Sequence, residues 1–149
     1  MSPVPFNLHH VGILVKDIEA ESANLGARFG YVVESPIIED EVQTALVRFL
    51  RQPGAACWCE LISPNGPGSK LAQALEQGGG LHHVCYEVDD MAAACAHLSA
   101  TAMMMFRKPT PAVAFGGRPI AWFLGRNCQL VELVSSGDGP LSLAVIRKI

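Results

Sequence analysis

The chain has 149 residues, half of them apolar, and a formal net charge of −3 at pH 7. This length suits an ordinary domain with a sizeable core, and the scattered charges give no electrostatic reason to expect nucleic acid or an anionic membrane as a partner. No apolar run approaches the roughly 20 residues of a membrane helix, and the first residues lack the features of a secretory signal. We therefore expect a cytoplasmic protein with a small-molecule partner and reduced cysteines.

The first predicted element is a strand at residues 8–16, whose alternation separates two faces. His9 and Val11 begin the more apolar face, and His10 and Gly12 begin the other. Asp17 is the expected N-cap of a helix that ends at a glycine. Three strands are predicted to follow, at residues 31–38, 42–50 and 57–63.

The second half of the chain repeats this order. Leu8-His9-His10-Val11 recurs as Leu81-His82-His83-Val84, and Asp90 stands where Asp17 stands in the first copy. The strands of this copy are predicted at residues 103–108, 119–124 and 129–135. The sequence thus predicts an α+β fold of two βαβββ modules, at residues 8–63 and 81–135. A linker with a short helix spans residues 64–80, and a tail spans residues 136–149.

Four polar residues occupy matching places in the two modules. Glu60 and Glu132 each lie in the middle of an apolar strand, where a lone carboxylate costs several kcal/mol to desolvate unless a cation or hydrogen bonds compensate. Together with His10 and His83 they offer two imidazole nitrogens and two carboxylate oxygens. This set suits one divalent ion, Mn, Fe, Co, Ni or Zn, with water in the remaining positions. His9 and His82 share the apolar face of their strands and are expected to be packed core residues.

Three segments carry a family resemblance: His9-His10-Val11-Gly12-Ile13, residues 80–90 around His83, and Val131-Glu132-Leu133. Over residues 8–135 the chain resembles the vicinal oxygen chelate superfamily, which includes glyoxalase I, methylmalonyl-CoA epimerase, extradiol dioxygenases and bleomycin-resistance proteins. Within it, these segments look most like methylmalonyl-CoA epimerase, whereas the two-histidine, two-glutamate set resembles bacterial glyoxalase I. The resemblance implies curved mixed sheets around one metal-centred cleft, with metal ligands at His10, Glu60, His83 and Glu132, and a homodimer.

The expected chemistry is proton transfer beside a metal-bound carbonyl. A divalent ion with open positions polarises a carbonyl and stabilises the enolate that forms when the neighbouring carbon loses a proton. We therefore predict a metal-dependent isomerase or epimerase acting on a carbonyl substrate such as a CoA or glutathione thioester. By resemblance Glu132 is the candidate base and Glu60 its symmetric partner. Arg118, in a loop that aligns with an active-site loop of the family, is a candidate for binding a substrate carboxylate or phosphate.

Several alternatives remain open at this point. Val47 stands where the epimerases have a second catalytic glutamate. A glyoxalase I-like lactoylglutathione lyase has the same two-histidine, two-glutamate set, but Leu14 replaces its glutathione-binding arginine. In an extradiol-type dioxygenase, Glu60 would crowd the metal. A metal-free antibiotic-binding protein would have lost the ligand positions that this chain retains. Glu87 lies near a strand end, where solvent is the expected partner.

Overall fold

The computed structural model of the protein describes residues 4–143, which form two compact units. The N-terminal unit spans His10–His82. The C-terminal unit contains the described residues up to His9 and those from His83 onward. Nine strands, three α-helices and one 3-10 helix occur in the described part of the chain, so the α+β class is confirmed. The predicted tail at residues 136–149 lies outside the described residues beyond position 143.

The N-terminal unit contains one sheet with two helices. Its strands run in the order β2, β4, β5, β1, with β3 also paired to β4. β1 and β5 are parallel, and β5 is antiparallel to β4. The elements are β1 (Asn7–Leu14, within this unit from His10), α1 (Ile18–Phe29), β2 (Val32–Val33), β3 (Ile38–Asp40), β4 (Ala45–Arg51), β5 (Trp58–Pro64) and α2 (Ala72–Glu76).

Helix α1 begins and ends as the sequence predicts. The Asp17 carboxylate accepts a hydrogen bond from the Ala20 backbone N–H at 3.0 Å, which satisfies one of the unpaired donors of the first turn. Gly30 ends the helix with φ +75°, a left-handed conformation that glycine adopts without a Cβ penalty. The helix buries Ile18 against Leu50 and Leu61 of the sheet, which anchors it over one face.

The prediction of one continuous strand at residues 31–38 is wrong, because β2 and β3 are separate there. Pro36 has no backbone N–H to donate to a neighbouring strand. The preceding residue replaces the regular ladder, since the Ser35 hydroxyl accepts a hydrogen bond from the Phe49 backbone N–H at 3.0 Å. The chain therefore leaves the sheet edge after Val33 and returns at Ile38.

The C-terminal unit repeats the same plan. Its strands run in the order β6, β9, β8, β7, with β6 and β9 parallel and the other pairs antiparallel. Asp90 caps the helix by accepting from Ala93 N–H at 3.0 Å, as its position in the repeat predicts. The elements are β6 (Gly80–Val88, within this unit from His83), α3 (Met91–Ala100), β7 (Met104–Pro111), a 3-10 helix (Val113–Phe115), β8 (Pro119–Leu124) and β9 (Leu130–Ser135).

Ala94 of helix α3 packs in a core with Phe123 of β8 and Leu133 of β9, and all three are fully buried. No helix of residues 4–143 has the length and apolarity needed to cross a membrane.

Candidate functional site

In the N-terminal unit the sheet register brings His10 and Glu60 together. Gly12 of β1 lies opposite Glu60 of β5, so His10, two residues earlier, is a diagonal neighbour on the same face. The His10 Nε2 lies 3.5 Å from the Glu60 Oε1, and both residues are buried. Phe49 of β4 pairs with Glu60 and presents its ring to the imidazole at 5.3 Å and 82°. The two predicted ligands of this module are thus adjacent and fixed by packing.

In the C-terminal unit the same register brings His83 and Glu132 together. Cys85 of β6 lies opposite Glu132 of β9, and His83 is again two residues earlier. The His83 Nε2 lies 3.4 Å from the Glu132 Oε1, and both residues are buried. Trp122 of β8 pairs with Glu132 and meets the His83 ring at 4.8 Å and 79°. The repeat in the sequence is therefore a repeat in side-chain geometry.

Each pair combines two donor atoms at a spacing close to that of two ligands on one metal ion. Two donor atoms that each lie about 2.0–2.1 Å from one ion, at adjacent ligand positions, are roughly 2.9–3.4 Å apart. The N–O separation of 3.4 Å between His83 and Glu132 lies at the upper end of this range, and that of 3.5 Å between His10 and Glu60 lies just above it. They exceed the roughly 2.7–2.9 Å of a strong charge-assisted hydrogen bond. Imidazole nitrogen and carboxylate oxygen are donors that several first-row divalent ions accept. Each unit therefore contributes one imidazole nitrogen and one carboxylate oxygen of the kind that such ions accept.

His9 is a packed residue, as its place on the apolar face predicts. It is fully buried, and its Nε2 lies 2.6 Å from the Leu141 carbonyl oxygen. Because a carbonyl only accepts, this nitrogen carries the proton. The Phe115 ring meets the imidazole at 5.4 Å and 85°. His82 is only half-buried.

Arg118 is engaged inside the C-terminal unit. Its guanidinium donates to three carbonyl oxygens: Phe115 at 3.2 Å, Ser135 at 3.0 Å and Pro140 at 2.6 Å. Burial lowers the pKa of Arg118 below its usual value, whereas the neighbouring Glu87 acts in the opposite direction. The residue thereby ties the loop before β8 to the end of β9 and to the segment that follows. Binding of a substrate anion by Arg118 stays a prediction.

Glu87 is a buried residue that sequence reasoning missed. The expectation of solvent as its partner is wrong, because it is 6% exposed. Its Oε2 accepts a hydrogen bond from Leu143 N–H at 3.3 Å and lies 3.8 Å from the Arg118 Nη1. The alternation His83, Cys85, Glu87 already placed it on the ligand face of β6. The sequence could not show that residues 140–143 fold back over this strand end.

A cavity of about 630 Å³ lies on the other face of the N-terminal sheet, beneath α1. Val11 and Ile13 line it and are half-buried, whereas Gly12 and Leu14 on the ligand face are buried. Burial raises the pKa of Cys59, at the cavity wall, to about 11, and nearby negative charge at Glu60 adds to the effect.

A family model described as the Glyoxalase/Bleomycin resistance protein/Dioxygenase superfamily matches residues 9–122. The ethylmalonyl-CoA/methylmalonyl-CoA epimerase of Cereibacter sphaeroides is 34% identical over 130 residues, which cover 85% of this chain and 95% of that protein. The chain belongs to this superfamily. The predicted superfamily and its epimerase-like character are therefore confirmed. The chain is accordingly an enzyme of the epimerase type.

Solved structures show the same fold. Methylmalonyl-CoA epimerase from Mycobacterium tuberculosis aligns with a TM-score of 0.80 at 22% identity, covering 92% of this chain and 93% of that chain. A variant of the Streptomyces coelicolor methylmalonyl-CoA epimerase in complex with 2-nitronate-propionyl-CoA aligns with a TM-score of 0.77 at 23% identity. That alignment covers 91% of this chain and 99% of the other. The vicinal oxygen chelate fold predicted from the sequence is thus confirmed.

This chain departs from the family resemblance at Val47. Val47 is buried on the ligand face of β4, paired with Ile38 on one side and Ile62 on the other. The position is therefore apolar in its surroundings as well as in its own side chain. No carboxylate occupies it, so any second acid or base of this enzyme belongs to another residue.

Proposed function

We propose that this protein is a divalent-metal-dependent epimerase of 2-alkylmalonyl-CoA thioesters. The observation that carries the proposal is the duplicated His–Glu pair, one in each unit, in a chain 34% identical to an ethylmalonyl-CoA/methylmalonyl-CoA epimerase. Such a substrate carries an acidic carbon between a thioester and a carboxylate. Its configuration inverts when the proton leaves one side and returns on the other.

His10, Glu60, His83 and Glu132 are the proposed ligands of one ion, with Co, Ni, Zn, Mn and Fe as candidates. Support comes from the equivalence of the two pairs, which places the same donor atoms at the same strand positions in both units. When bound, the ion would supply Lewis-acid stabilisation of the negative charge that develops on the thioester oxygen. Phe49 and Trp122 would keep the two imidazoles in position through their edge-on ring contacts.

The proposed role of the two glutamates is to transfer the α-proton of the substrate. Glu132 lies in a buried strand position, so its carboxylate is withheld from bulk water and would exchange a proton with the substrate carbon. Glu60 is its equivalent in the other unit and is the proposed partner in the second proton transfer. Inversion needs an acid and a base in turn, and one carboxylate from each unit meets this need. The apolar setting of Val47 makes Glu60 the stronger candidate for the second role.

The glutathione-dependent alternative loses support, because the relatives described above are named for CoA thioesters. Activity as a lyase, activity as a dioxygenase and metal-free antibiotic binding are less well supported than epimerisation. No observation on the described residues favours them over it. A homodimer and a cytoplasmic location complete the proposal, as the resemblance and the composition suggest.

The proposal is tested by metal content and proton exchange. Elemental analysis should find about one ion per wild-type chain and almost none in a His10→Ala, His83→Ala double variant made in the same way. In heavy water the metal-loaded enzyme should exchange the α-proton of methylmalonyl-CoA, detected by NMR or mass spectrometry. Glu132→Gln should abolish this exchange, since an amide takes up no proton at neutral pH.

An Asp90→Asn variant, which keeps the helix cap and lies outside the proposed site, is the matched charge-removal control. Full exchange by Glu132→Gln would exclude Glu132 as the base. A wild-type protein that holds no metal after reconstitution, and exchanges nothing, would exclude the proposal as a whole.

A further inference from the structure

The edge strand β7 is irregular beside the His83 and Glu132 pair. Met105 pairs with Phe123 and Arg107 with Trp122, so Phe106 is an extra residue without a partner of its own on β8. A second register shift follows between Arg107 and Thr110. Such β-bulges re-aim side chains and are frequent next to active sites. Here the bulge turns Phe106 over Trp122, the two rings being stacked at 6.3 Å and 30°.

Three aromatic rings, those of His83, Trp122 and Phe106, form a series from the buried proposed metal ligand to solvent. The Trp122 ring touches the His83 imidazole on one side and the Phe106 ring on the other. Trp122 is buried, whereas Phe106 is 53% exposed. An aromatic ring left this exposed at the end of such a series offers an apolar contact surface that starts at the proposed metal ligand.

The same strand carries cationic and unpaired polar groups. Arg107 and Lys108 follow Phe106, and β7 contains no acidic residue. Within residues 4–143 the Arg107 Nε is buried and has no hydrogen-bond partner. Among the described strands of the C-terminal unit, β7 is the last of the sheet and pairs only with β8, so its outer edge can accept a further extended partner. The strand therefore combines an aromatic contact, positive charge and free backbone groups.

We propose that β7 binds the coenzyme A arm of the thioester substrate, an inference that rests on the proposed function. The pantetheine part is extended, with two amides and a dimethyl group. Amides of this kind can pair with a free strand edge, and the dimethyl group can pack on Phe106. The phosphates that follow are anionic and match the positive charges of Arg107 and Lys108. The acyl end of the same molecule would then reach the His83 side of Trp122.

The test separates binding of the arm from catalysis. Free coenzyme A, which has no acyl group to react, is titrated into wild-type protein, Phe106→Ala and Lys108→Ala by calorimetry. Phe106→Ala should weaken binding about 10-fold, as expected from losing one aromatic contact. Lys108→Ala should weaken it less, and binding to this variant should depend less steeply on salt. Met104→Ala is the matched control, because Met104 is 58% exposed on the same strand but does not stack on Trp122.

A second readout uses methylmalonyl thioesters of coenzyme A and of N-acetylcysteamine, which lacks the phosphates and most of the arm. For Phe106→Ala the loss in kcat/KM with the coenzyme A thioester should exceed the loss with the short thioester by about 10-fold. This difference should come from a higher KM for the coenzyme A thioester. Equal losses with both thioesters, or unchanged binding of free coenzyme A, would overturn the inference.

The two proposals can fail separately. A wild-type enzyme that exchanges the α-proton of the short thioester but does not bind coenzyme A would overturn the role of β7 and leave the proposed function standing. The opposite result is a protein that binds coenzyme A in a Phe106-dependent way but exchanges the α-proton of neither thioester. That result would support the β7 site and exclude the proposed epimerase activity.

Discussion

Replacing Phe49 by leucine tests whether the aromatic ring beside His10 serves the proposed metal site. Phe49 is fully buried and meets the His10 ring edge-on at 5.3 Å. Loss of an aromatic pair costs about 0.5–1.5 kcal/mol, and imperfect filling of the ring's volume raises the total to about 1–2 kcal/mol. At roughly 2–4 °C per kcal/mol for a chain of this size, the Tm should fall by about 2–8 °C. Metal affinity should also fall about 10-fold, because the imidazole gains freedom.

The matched control is Phe123→Leu. Phe123 is equally buried, but it packs in the core beneath α3 and does not contact His83. Thermal unfolding of the metal-free proteins should give a similar loss of Tm for both variants. Competition with a chelating indicator dye should then show weaker metal binding for Phe49→Leu alone. Equal metal affinities of the two variants would refute the idea that the ring positions His10, whatever the stability data show.

Three further predictions concern stability. The pKa of the Cys59 thiol rises from 9.0 to about 11 on folding. The protonated thiol therefore contributes fully to the stability of the folded state below pH 9, and this contribution is lost as the pH rises to 11. The free energy of unfolding measured in urea should fall by about 1 kcal/mol over this pH range, a value reduced to allow for the partial exposure of the thiol. Cys59→Ala should remove this pH dependence. Arg118→Met should cost about 3 kcal/mol, since three carbonyl oxygens lose a donor and the buried Glu87 loses its neighbouring cation. Asp90→Ala should cost about 1 kcal/mol through the lost helix cap.

Each of these predictions has its own control. Cys128→Ala removes an exposed thiol and should leave the alkaline slope unchanged; a slope that persists in Cys59→Ala would contradict the first prediction. For Arg118→Met, hydrogen exchange should show faster opening of residues 136–143 than of β8. Uniform protection would contradict the tethering role. Asp90→Asn keeps a capping oxygen and should retain most of the stability that Asp90→Ala loses.

The element order and the two helix caps could be predicted from the sequence because both depend on neighbouring residues. Asp17 and Asp90 act within their own first turn, and strand alternation assigns side chains to faces without knowledge of the partner strand. The break between β2 and β3 was missed, although Pro36 is its signal. What replaces the missing ladder there is a serine hydroxyl that binds Phe49, a residue 14 positions away. Such a contact has no local pattern.

The sequence by itself determined the duplication and, through it, which histidine and which glutamate in each module are equivalent. Repeated residues at repeated strand positions lead to repeated geometry. Only the tertiary structure decided the register that brings His10 to Glu60 and His83 to Glu132, because parallel pairing of strands distant in the chain depends on how whole sheets pack. Tertiary structure also decided the environment of Glu87 and Arg118. Their partners come from a segment that folds back over the sheet, and the free energy of burying a charge depends on those partners rather than on neighbours in sequence.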